Sequence, residues 1–282
     1  MKNKIKIGYL GPSGTYTERA AKAYSRNKKS EISPYSTIED VFKAIIRKKA
    51  EAGIVPLENI VQGIVTETLD YLFDYSGRIF ITDSLIIPIS HYLGALKNQG
   101  KIEKILSKDH ALRQCSRYLS KNYRGAELIE TKSTAAAVEK IAEEKLRDSA
   151  AIADKEKILS YGLEIIAEDI GNVQDNKTKF AVLGTRLRKK TGKDTTSLVI
   201  YPHKDRVGLL DDMLQVISRD YKLNLSSIHS RPDAKGKYRF YMDLEGHVDD
   251  EKISSCLRAL KEKIKGDNVE IKILGSYPKK DL

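Results

Sequence analysis

Residues 38–59 have the sequence I-E-D-V-F-K-A-I-I-R-K-K-A-E-A-G-I-V-P-L-E-N, and this stretch predicts the fold class. From Ile38 to Ile46 the apolar residues recur three and four positions apart, which is the spacing of one helix face. Ser36 precedes this face, and Glu39 follows Ser36 by three positions. This pairing is typical of a capping box. Ala52 to Pro56 is then short and apolar, like a buried parallel strand. Helix followed by buried strand indicates an α/β protein.

The same alternation extends in both directions along the chain. Lys4 to Leu10 is predicted to be an opening strand, and helix and strand patterns alternate from there to Gly184. From Thr195 the pattern changes to a compact β-α-β-β-α-β unit. Arg186 to Lys193 joins the two parts with five positive charges and no negative charge, and we interpret it as a solvated linker.

Length and composition limit the class of protein. The chain has 282 residues, 40% hydrophobic and 32% charged, which suggests two domains and excludes disordered, collagen-like and disulfide-scaffold proteins. Cys115 and Cys256 lie far apart, so we expect a reducing compartment and a cytoplasmic location. No apolar run reaches the roughly 18 residues that a membrane span requires, and the N-terminus lacks a signal-peptide pattern, so no membrane partner is expected.

The formal net charge of +11 raises the question of nucleic acid. Outside the linker the basic residues are interleaved with acidic ones, and no zinc-finger, basic-zipper or RNA-binding motif is present, so we predict no nucleic-acid partner. The spacing of the five histidines resembles no metal site, and no metal is expected. No G-x-S-x-G elbow supports a serine hydrolase.

Polar and glycine residues lie at the ends of predicted strands. Gly8, Gly11 and Gly14 come between a strand and a helix, where backbone N–H groups can bind an anion, although a tight turn is the simpler interpretation. Asn59 follows a buried strand, the usual position of ligand-binding groups in α/β folds, and a plain polar loop is equally compatible. Residues 175–180 precede another strand and have the Asp and Asn of a turn. Taken singly, none of these motifs identifies a function.

Taken together and in order, five motifs resemble those of the prephenate dehydratase family, and two more resemble its C-terminal ACT regulatory domain. The five are Gly11–Thr17, Val55–Asn59 with Gly63, Ser107 with Ala111–Cys115, Ser133–Ala137 and Asn176–Phe180. The two are Asp205–Leu210 and Ser230–Pro232. The resemblance covers nearly the whole chain.

The resemblance implies an α/β catalytic region of two lobes, similar to those of periplasmic binding proteins, and an α+β ACT domain of βαββαβ order. The active site is expected in the cleft between the lobes. The expected boundaries are 1–184 for the catalytic domain, with lobe one about 1–80 plus 175–184 and lobe two about 81–174, then 185–194 for the linker and 195–276 for the ACT domain.

The resemblance also implies the reaction, in which prephenate loses water and CO₂ to give phenylpyruvate in phenylalanine biosynthesis, without metal or organic cofactor. Thr178 matches the family's catalytic threonine, which is taken to donate a proton or a hydrogen bond to the leaving hydroxyl. The other expected catalytic residues are Asn59, Ser107 and Gln114. The expected substrate-binding residues are Thr15, Ser133, Thr134, Lys179 and Phe180.

L-phenylalanine is implied as an allosteric inhibitor that binds the ACT domain at an interface between subunits. A homodimer or homotetramer is therefore expected. The expected effector-binding residues are Asp205, Val207, Gly208, Leu209, Leu210, Ser230, Arg231 and Pro232.

The chain departs from the family pattern at three places. Lys179 replaces an Arg and offers a point charge instead of a bidentate fork. Residues 107–110 are S-K-D-H where the family has S-H-P-Q, which displaces the usual histidine to His110. In the ACT motifs, Leu209 and His229 replace a smaller residue and a glutamate, which bears on phenylalanine sensing.

Two alternatives stay open at this point. An arogenate dehydratase would perform the same chemistry on an amino-bearing substrate. A sensor of small anions or amino acids that has lost catalysis would keep the fold and most of the motifs. No segment resembles a chorismate mutase, so we expect a monofunctional enzyme.

Overall fold

The computed structural model describes residues 4–204, 206–233 and 236–280. The strands in these ranges are β1 (Ile5–Leu10), β2 (Ser30–Tyr35), β3 (Ala52–Asn59), β4 (Gly63–Ile64), β5 (Phe80–Pro88), β6 (Tyr92–Ala95), β7 (Lys104–Ser107), β8 (Glu127–Glu130), β9 (Ser149–Ala153), β10 (Glu164–Ala167), β11 (Lys177–Gly184), β12 (Asp194–Pro202), β13 (Leu225–Pro232), β14 (Tyr238–Glu245) and β15 (Val269–Pro278). The α-helices are α1 (Tyr16–Ser25), α2 (Ile38–Ile46), α3 (Thr66–Asp74), α4 (Asp109–Gln114), α5 (Ser116–Asn122), α6 (Thr134–Glu144), α7 (Lys155–Ser160), α8 (Leu209–Leu214) and α9 (Glu251–Lys263).

The strands form two sheets, and the predicted α/β fold class is confirmed. The larger sheet has the order β13-β14-β12-β15-β5-β11-β3-β1-β2, with β4 attached to β3, and the smaller has the order β10-β6-β9-β7-β8. Strands β1, β2 and β3 are parallel, whereas β11 runs antiparallel to both β3 and β5. The chain therefore builds lobe one, crosses to lobe two for β6–β10, and returns to lobe one through β11.

The boundary between the lobes lies later than the predicted residue 81. Strand β5 pairs with β11 from Phe80 opposite Gly184 to Pro88 opposite Lys177, so it belongs to the sheet of lobe one. The first strand of the smaller sheet begins at Tyr92. The physical reason is the return of β11, which needs a hydrogen-bonding partner on each side and finds them in β3 and β5.

Helix α2 has the predicted apolar face but a different cap. Its start is capped by Thr37, whose hydroxyl accepts a 3.0 Å hydrogen bond from the Asp40 amide, one position later than the predicted pair of Ser36 and Glu39. Glu39 instead forms a 2.7 Å ion pair with Lys43. The buried face consists of Ile38, Val41, Phe42, Ala44 and Ile45.

The C-terminal part has the predicted β-α-β-β-α-β order, from β12 to β15. One face of its sheet packs under α8 and α9. Its other face contributes Val199 and Tyr241 to the hydrophobic core of lobe one. The strands of the C-terminal unit and those of lobe one form one continuous sheet, because Gly275 of β15 pairs with Ile81 of β5. This continuity fixes the position of the C-terminal unit against the strands that carry the candidate site.

The basic linker is held at several points instead of being fully solvated. Arg188 forms a 2.8 Å ion pair with Asp83 of lobe one, and Lys190 pairs with Asp250 of the C-terminal unit. The Asp194 carboxylate accepts a 2.7 Å hydrogen bond from the Thr191 hydroxyl. The linker is therefore attached to both parts that it joins.

Both cysteines are core residues, as the sequence predicts. Cys115 and Cys256 are free and buried, and burial raises their thiol pKa values to about 12 and about 11. None of the helices in the described ranges combines the length and apolarity that crossing a bilayer requires.

Candidate active site

Thr178 lies at the beginning of β11, where the register places it opposite Asn59 of β3 and Ile87 of β5. The Asn59 Nδ2 group donates a 2.8 Å hydrogen bond to Thr178 Oγ1. Because the hydroxyl oxygen accepts this bond, the hydroxyl proton remains available to another acceptor. Each of the two side chains is 8% exposed. The structure thus brings together two of the four predicted catalytic residues.

The Asn59 amide is held in one orientation by its other contacts. Its Oδ1 accepts hydrogen bonds of 2.9 Å from the backbone N–H groups of Val61 and Gln62. Its Nδ2 also approaches Asn176 Oδ1 at 2.9 Å and the Lys177 carbonyl at 3.1 Å. A rotated amide would place its NH₂ group against two N–H donors, so Nδ2 must face Thr178.

A cavity of about 370 Å³ is lined by residues of both lobes. Thr178 and Asn59 do not line it themselves, but Val61, Gln62 and Asn176, which are hydrogen-bonded to Asn59, do. From lobe one and the segment leading into β11 come Val61, Gln62 and Asn176. From lobe two come His110, Arg113, Gln114 and Arg117, around α4 and α5. A neighbouring cavity of about 250 Å³ shares His91 and Asn176 with it. The predicted cleft between the lobes thus contains Gln114, a third predicted catalytic residue.

His91 connects the crossing between the lobes to Gln114. The ring Nε2 lies 2.7 Å from Gln114 Oε1, and the ring is 4% exposed. Burial lowers the His91 pKa, while the bond to Gln114 acts in the opposite direction. The other ring nitrogen, Nδ1, is buried and has no hydrogen-bond partner within the described ranges. The imidazole is therefore neutral near pH 7.

His110 is a second neutral imidazole on the cavity wall. Burial, followed by the charge of Lys108 and the proximity of His91, lowers its pKa to about 4. The displaced histidine of the sequence motif thus does line the cavity. In the part of the chain that the structure describes, no group of three or more His, Cys, Asp or Glu side chains is placed to hold a metal ion.

Four predicted residues of lobe two and β11 have structural contacts away from the two cavities. Ser107 is fully buried, and its hydroxyl donates a 2.7 Å hydrogen bond to the Ile152 carbonyl. Ser133 caps α6 by accepting a 3.0 Å bond from the Ala136 amide, and Thr134 is the first residue of that helix. Phe180 belongs to the core that lies against α1. None of these four residues lines either cavity.

The glycine loop before α1 is also satisfied internally. Thr15 caps α1 by accepting a 3.4 Å bond from the Glu18 amide. The Gly14 amide donates a 2.5 Å bond to the Glu18 carboxylate. This backbone N–H group of the glycine loop, which could have bound an anionic ligand, therefore binds the carboxylate of Glu18. Thr15 does not line either cavity.

Lys179 faces away from the cavity because successive residues of a strand point to opposite faces. Its Nζ lies 5.9 Å from the centre of the Tyr277 ring, in the C-terminal unit. Burial raises the pKa of the nearby Asp243 carboxyl, and the Lys179 charge partly opposes that shift. Lys179 therefore faces the C-terminal unit and does not line either cavity.

Four of the predicted effector residues line one cavity of the C-terminal unit. Gly208, Leu209, Leu210 and Ser230 surround a space of about 440 Å³, together with Phe240. Gly208 has φ +83°, a left-handed conformation that favours glycine, and it begins α8.

The remaining effector predictions are not brought to that cavity. Arg231 follows Ser230 on β13 and points to the other face, where it forms a 2.5 Å ion pair with Asp70 of α3. Val207 and Pro232 are exposed and do not line the cavity. Asp205 lies outside the described residues.

Sequence reasoning did not select His91, Arg113, Arg117 or Asn176 as site residues. A signal existed for each of them. Arg113 precedes Gln114, Arg117 follows it by three residues, and Asn176 belongs to the motif of Thr178. His91 interrupts an apolar run at the end of a strand.

The chain is similar to known proteins over nearly its whole length. A model of the family described as prephenate dehydratase matches residues 7–188. The bifunctional chorismate mutase/prephenate dehydratase of Aquifex aeolicus is 39% identical, covering 99% of this chain and 75% of that protein. The prephenate dehydratase of Lactococcus lactis subsp. cremoris is 33% identical, covering 97% of both. The crystal structure of prephenate dehydratase from Arthrobacter aurescens in complex with L-Phe superposes with a TM-score of 0.85 at 29% identity, covering 98% of this chain and 90% of that one.

Proposed function

The chain belongs to the prephenate dehydratase family and is a prephenate dehydratase, and we propose that it acts through Thr178, whose partner Asn59 is hydrogen-bonded to residues that line the cavity between the lobes. The observation that carries this proposal is the hydrogen bond from Asn59 to Thr178 Oγ1 beside that cavity. It leaves the Thr178 hydroxyl free to donate, and Asn176, which also binds Asn59, lines the cavity of about 370 Å³.

The reaction needs a donor at the hydroxyl of the substrate. The bond between the prephenate ring and its carboxylate breaks and releases CO₂, and its electron pair enters the ring. The ring hydroxyl leaves with its bonding pair and takes up a proton to become water. A threonine hydroxyl is a poor acid. We therefore assign Thr178 a positioned hydrogen bond that stabilises the negative charge developing on the leaving oxygen.

Two substitutions of Thr178 test this assignment. Thr178→Val keeps the branched shape but removes the donor, so we expect turnover of prephenate to fall by a factor of roughly 10² or more. Thr178→Ser keeps a hydroxyl on a less constrained side chain and should retain more activity than the valine variant. The assay follows phenylpyruvate by its absorbance in alkali, with circular dichroism as the check on folding. Near-normal turnover in a folded Thr178→Val protein would reject the role of Thr178.

We further propose that residues 195–276 are an ACT domain that binds L-phenylalanine in the cavity beside Gly208 and Ser230. Leu209, Leu210 and Phe240 give this cavity apolar surface, and the A. aurescens relative is described in complex with L-Phe. Such domains bind their effector between subunits. We therefore propose a homodimer or homotetramer, located in the cytoplasm, where the free thiols of the chain would stay reduced.

Inhibition and assembly are measured on the same preparation. We expect L-phenylalanine to lower the rate of phenylpyruvate formation and sedimentation to give at least a dimer. Absence of both binding and inhibition at millimolar phenylalanine would contradict the effector site but not the assignment of Thr178. Competition between prephenate and arogenate tests the choice of substrate, with preference for arogenate as the contrary outcome.

A further inference from the structure

We propose that the lobe-two side of the central cavity binds the carboxylates of prephenate, with Arg113 and Arg117 supplying charge and His91 holding the Gln114 amide as a donor. Arg113, Gln114 and Arg117 are called the carboxylate wall below. This inference rests on the proposed function, because it orients the substrate relative to Thr178.

The two sides of the cavity differ in charge. The lobe-one side consists of uncharged residues, among them Val61, Gln62 and Asn176, which are hydrogen-bonded to Asn59, the partner of Thr178. The opposite side contains the two arginines of the carboxylate wall. Because only one side offers positive charge, an anionic group is favoured there and not beside the threonine.

Arg117 is the less compensated of the two arginines. Arg113 forms a 2.5 Å ion pair with Asp109, and its side chain is 71% exposed. The Arg117 guanidinium has no ion pair and no hydrogen bond within the described ranges, although its backbone N–H donates to Asn172 Oδ1 at 3.0 Å. Arg117 therefore has its full set of donors available to a ligand.

The backbone of the carboxylate wall is fixed by Asn172, in the segment that returns to lobe one. The Asn172 amide N–H donates a 2.6 Å hydrogen bond to the Gln114 carbonyl. Its side-chain Nδ2 donates to the Arg113 carbonyl and to Ser116 Oγ, each at 3.0 Å. These bonds fix α4 and α5 relative to each other. As a result, the two arginines and Gln114 line the same cavity.

The orientation of Gln114 follows from the buried ring of His91. The 2.7 Å contact joins His91 Nε2 to Gln114 Oε1, so Nε2 carries the proton and Nδ1 is an acceptor without a partner. The reverse arrangement would put a proton on Nδ1, leaving a buried N–H unpaired, and such orphaned donors are rarer in proteins than unpaired acceptors. Gln114 therefore accepts from His91 and turns its NH₂ group to the cavity, where no described residue binds it.

The chemistry of prephenate fits this asymmetry. Its two carboxylates lie at one end of the ring, one on the ring carbon and one on the pyruvyl group of the same carbon, while the hydroxyl lies on the opposite carbon. With the carboxylates on the carboxylate wall, the hydroxyl points across the cavity to Thr178. The same placement leaves the carboxylate that departs as CO₂ on the side opposite the hydroxyl donor.

Charge-removing variants test the wall. We expect Arg117→Gln to raise the KM for prephenate by about tenfold, the loss of one charged hydrogen bond, with kcat within about threefold. Arg113→Gln should raise KM less, because Asp109 already compensates that charge. Arg124→Gln is the matched control, since Arg124 is exposed on the same lobe and does not line the cavity. An unchanged KM for prephenate, both in Arg117→Gln and in the variant that combines Arg113→Gln with Arg117→Gln, would overturn the proposal. Loss of turnover in Thr178→Val would remain unaffected by that result.

His91 is tested as a positioning residue by two replacements. His91→Gln can keep an N–H donor toward Gln114 Oε1, whereas His91→Leu cannot. We expect His91→Leu to raise KM by about fivefold to tenfold, and His91→Gln to recover at least half of that loss on a logarithmic scale. Equal KM values in the two folded variants would contradict the role of His91. If His91→Leu does not fold, the comparison is made between His91→Gln and wild type, where a tenfold or greater rise in KM is the contrary result.

Discussion

Asn59 illustrates how one side chain can prepare another for catalysis. Two backbone N–H groups hold its oxygen, and this leaves its nitrogen as the donor to Thr178. The threonine oxygen is then occupied by a donor, and the hydroxyl proton is directed elsewhere. The orientation of Thr178 therefore depends on the turn after β3, which supplies those two N–H groups.

His110 should make the stability of the protein depend on pH. Its pKa is lowered from 6.5 to about 4 by burial, so between these values the unfolded chain binds a proton that the folded chain does not. Stability must then fall as the pH is lowered through this window. We expect the stability of His110→Gln to fall less than that of the wild type as the pH is lowered from 7 to 4. Chemical unfolding at pH 7, 6, 5 and 4 measures it, and parallel curves for the variant and wild type would contradict the shift.

At the scale of the element, β11 divides the roles of its residues between two faces. Thr178 lies by the central cavity, while Lys179 faces Tyr277 across the contact with the C-terminal unit. The sequence motif predicts that both residues belong to the site. It contains no information on which face borders the cavity, because this depends on which strands flank β11 and what packs on each side.

The contact between β5 and β15 depends on a glycine. A Cβ at Gly275 would lie 2.3 Å from the Ile81 carbonyl oxygen and 2.8 Å from the Ile81 Cβ, and the backbone would have to move. We expect Gly275→Ala to lower the free energy of unfolding by about 1–3 kcal/mol through overpacking at this junction. Gly266→Ala is the control, because nothing lies within 4 Å of its Cβ position. Equal urea midpoints for the two variants would show that the junction tolerates a side chain.

Elements with local signals were predictable from the sequence, and pairings between distant elements were not. The apolar face of α2 and the β-α-β-β-α-β order follow from periodicity within each segment. The boundary between the lobes was misplaced because β5 pairs with β11, which comes almost a hundred positions later. For the same reason the hydrogen bond between Asn59 and Thr178, 119 positions apart, required the structure. The sequence could not show that Ser107 donates to a buried carbonyl or that Ser133 caps a helix. Both contacts depend on neighbouring atoms, and the residue type alone does not reveal them.

At the scale of the whole molecule, part of the positive charge joins the parts of the chain to one another. Arg188 and Lys190 of the linker pair with Asp83 and Asp250 on either side of it. The net charge of +11 contains these paired residues as well as unpaired ones such as Arg117. Two of the positive residues, Arg113 and Arg117, line the cavity, where the proposed carboxylate wall would use them.

Asp70 forms a charged contact between lobe one and the C-terminal unit. It pairs with Arg231 at 2.5 Å and with Arg239 at 3.6 Å, and its side chain is 31% exposed. The Arg239 guanidinium also lies 3.8 Å from the centre of the Phe73 ring on the same helix. Arg231 adjoins Ser230, which lines the proposed effector cavity on the other face of β13. One strand thus connects that cavity to α3.

Asp70→Asn should therefore affect both stability and regulation. We expect a loss of about 1 kcal/mol, the usual worth of a partly exposed ion pair, and a weaker response to L-phenylalanine with uninhibited turnover preserved. A double-mutant cycle with Arg231→Gln isolates the pair, since the second substitution should cost little once the first is present. Asp74→Asn, one turn further along α3 and exposed, is the control.

Additive losses of stability in the double-mutant cycle would mean that Asp70 and Arg231 do not interact. Unaltered inhibition in Asp70→Asn would place the route from effector to active site elsewhere, with the remaining contact of Tyr241 to the Leu69 carbonyl as the nearest candidate.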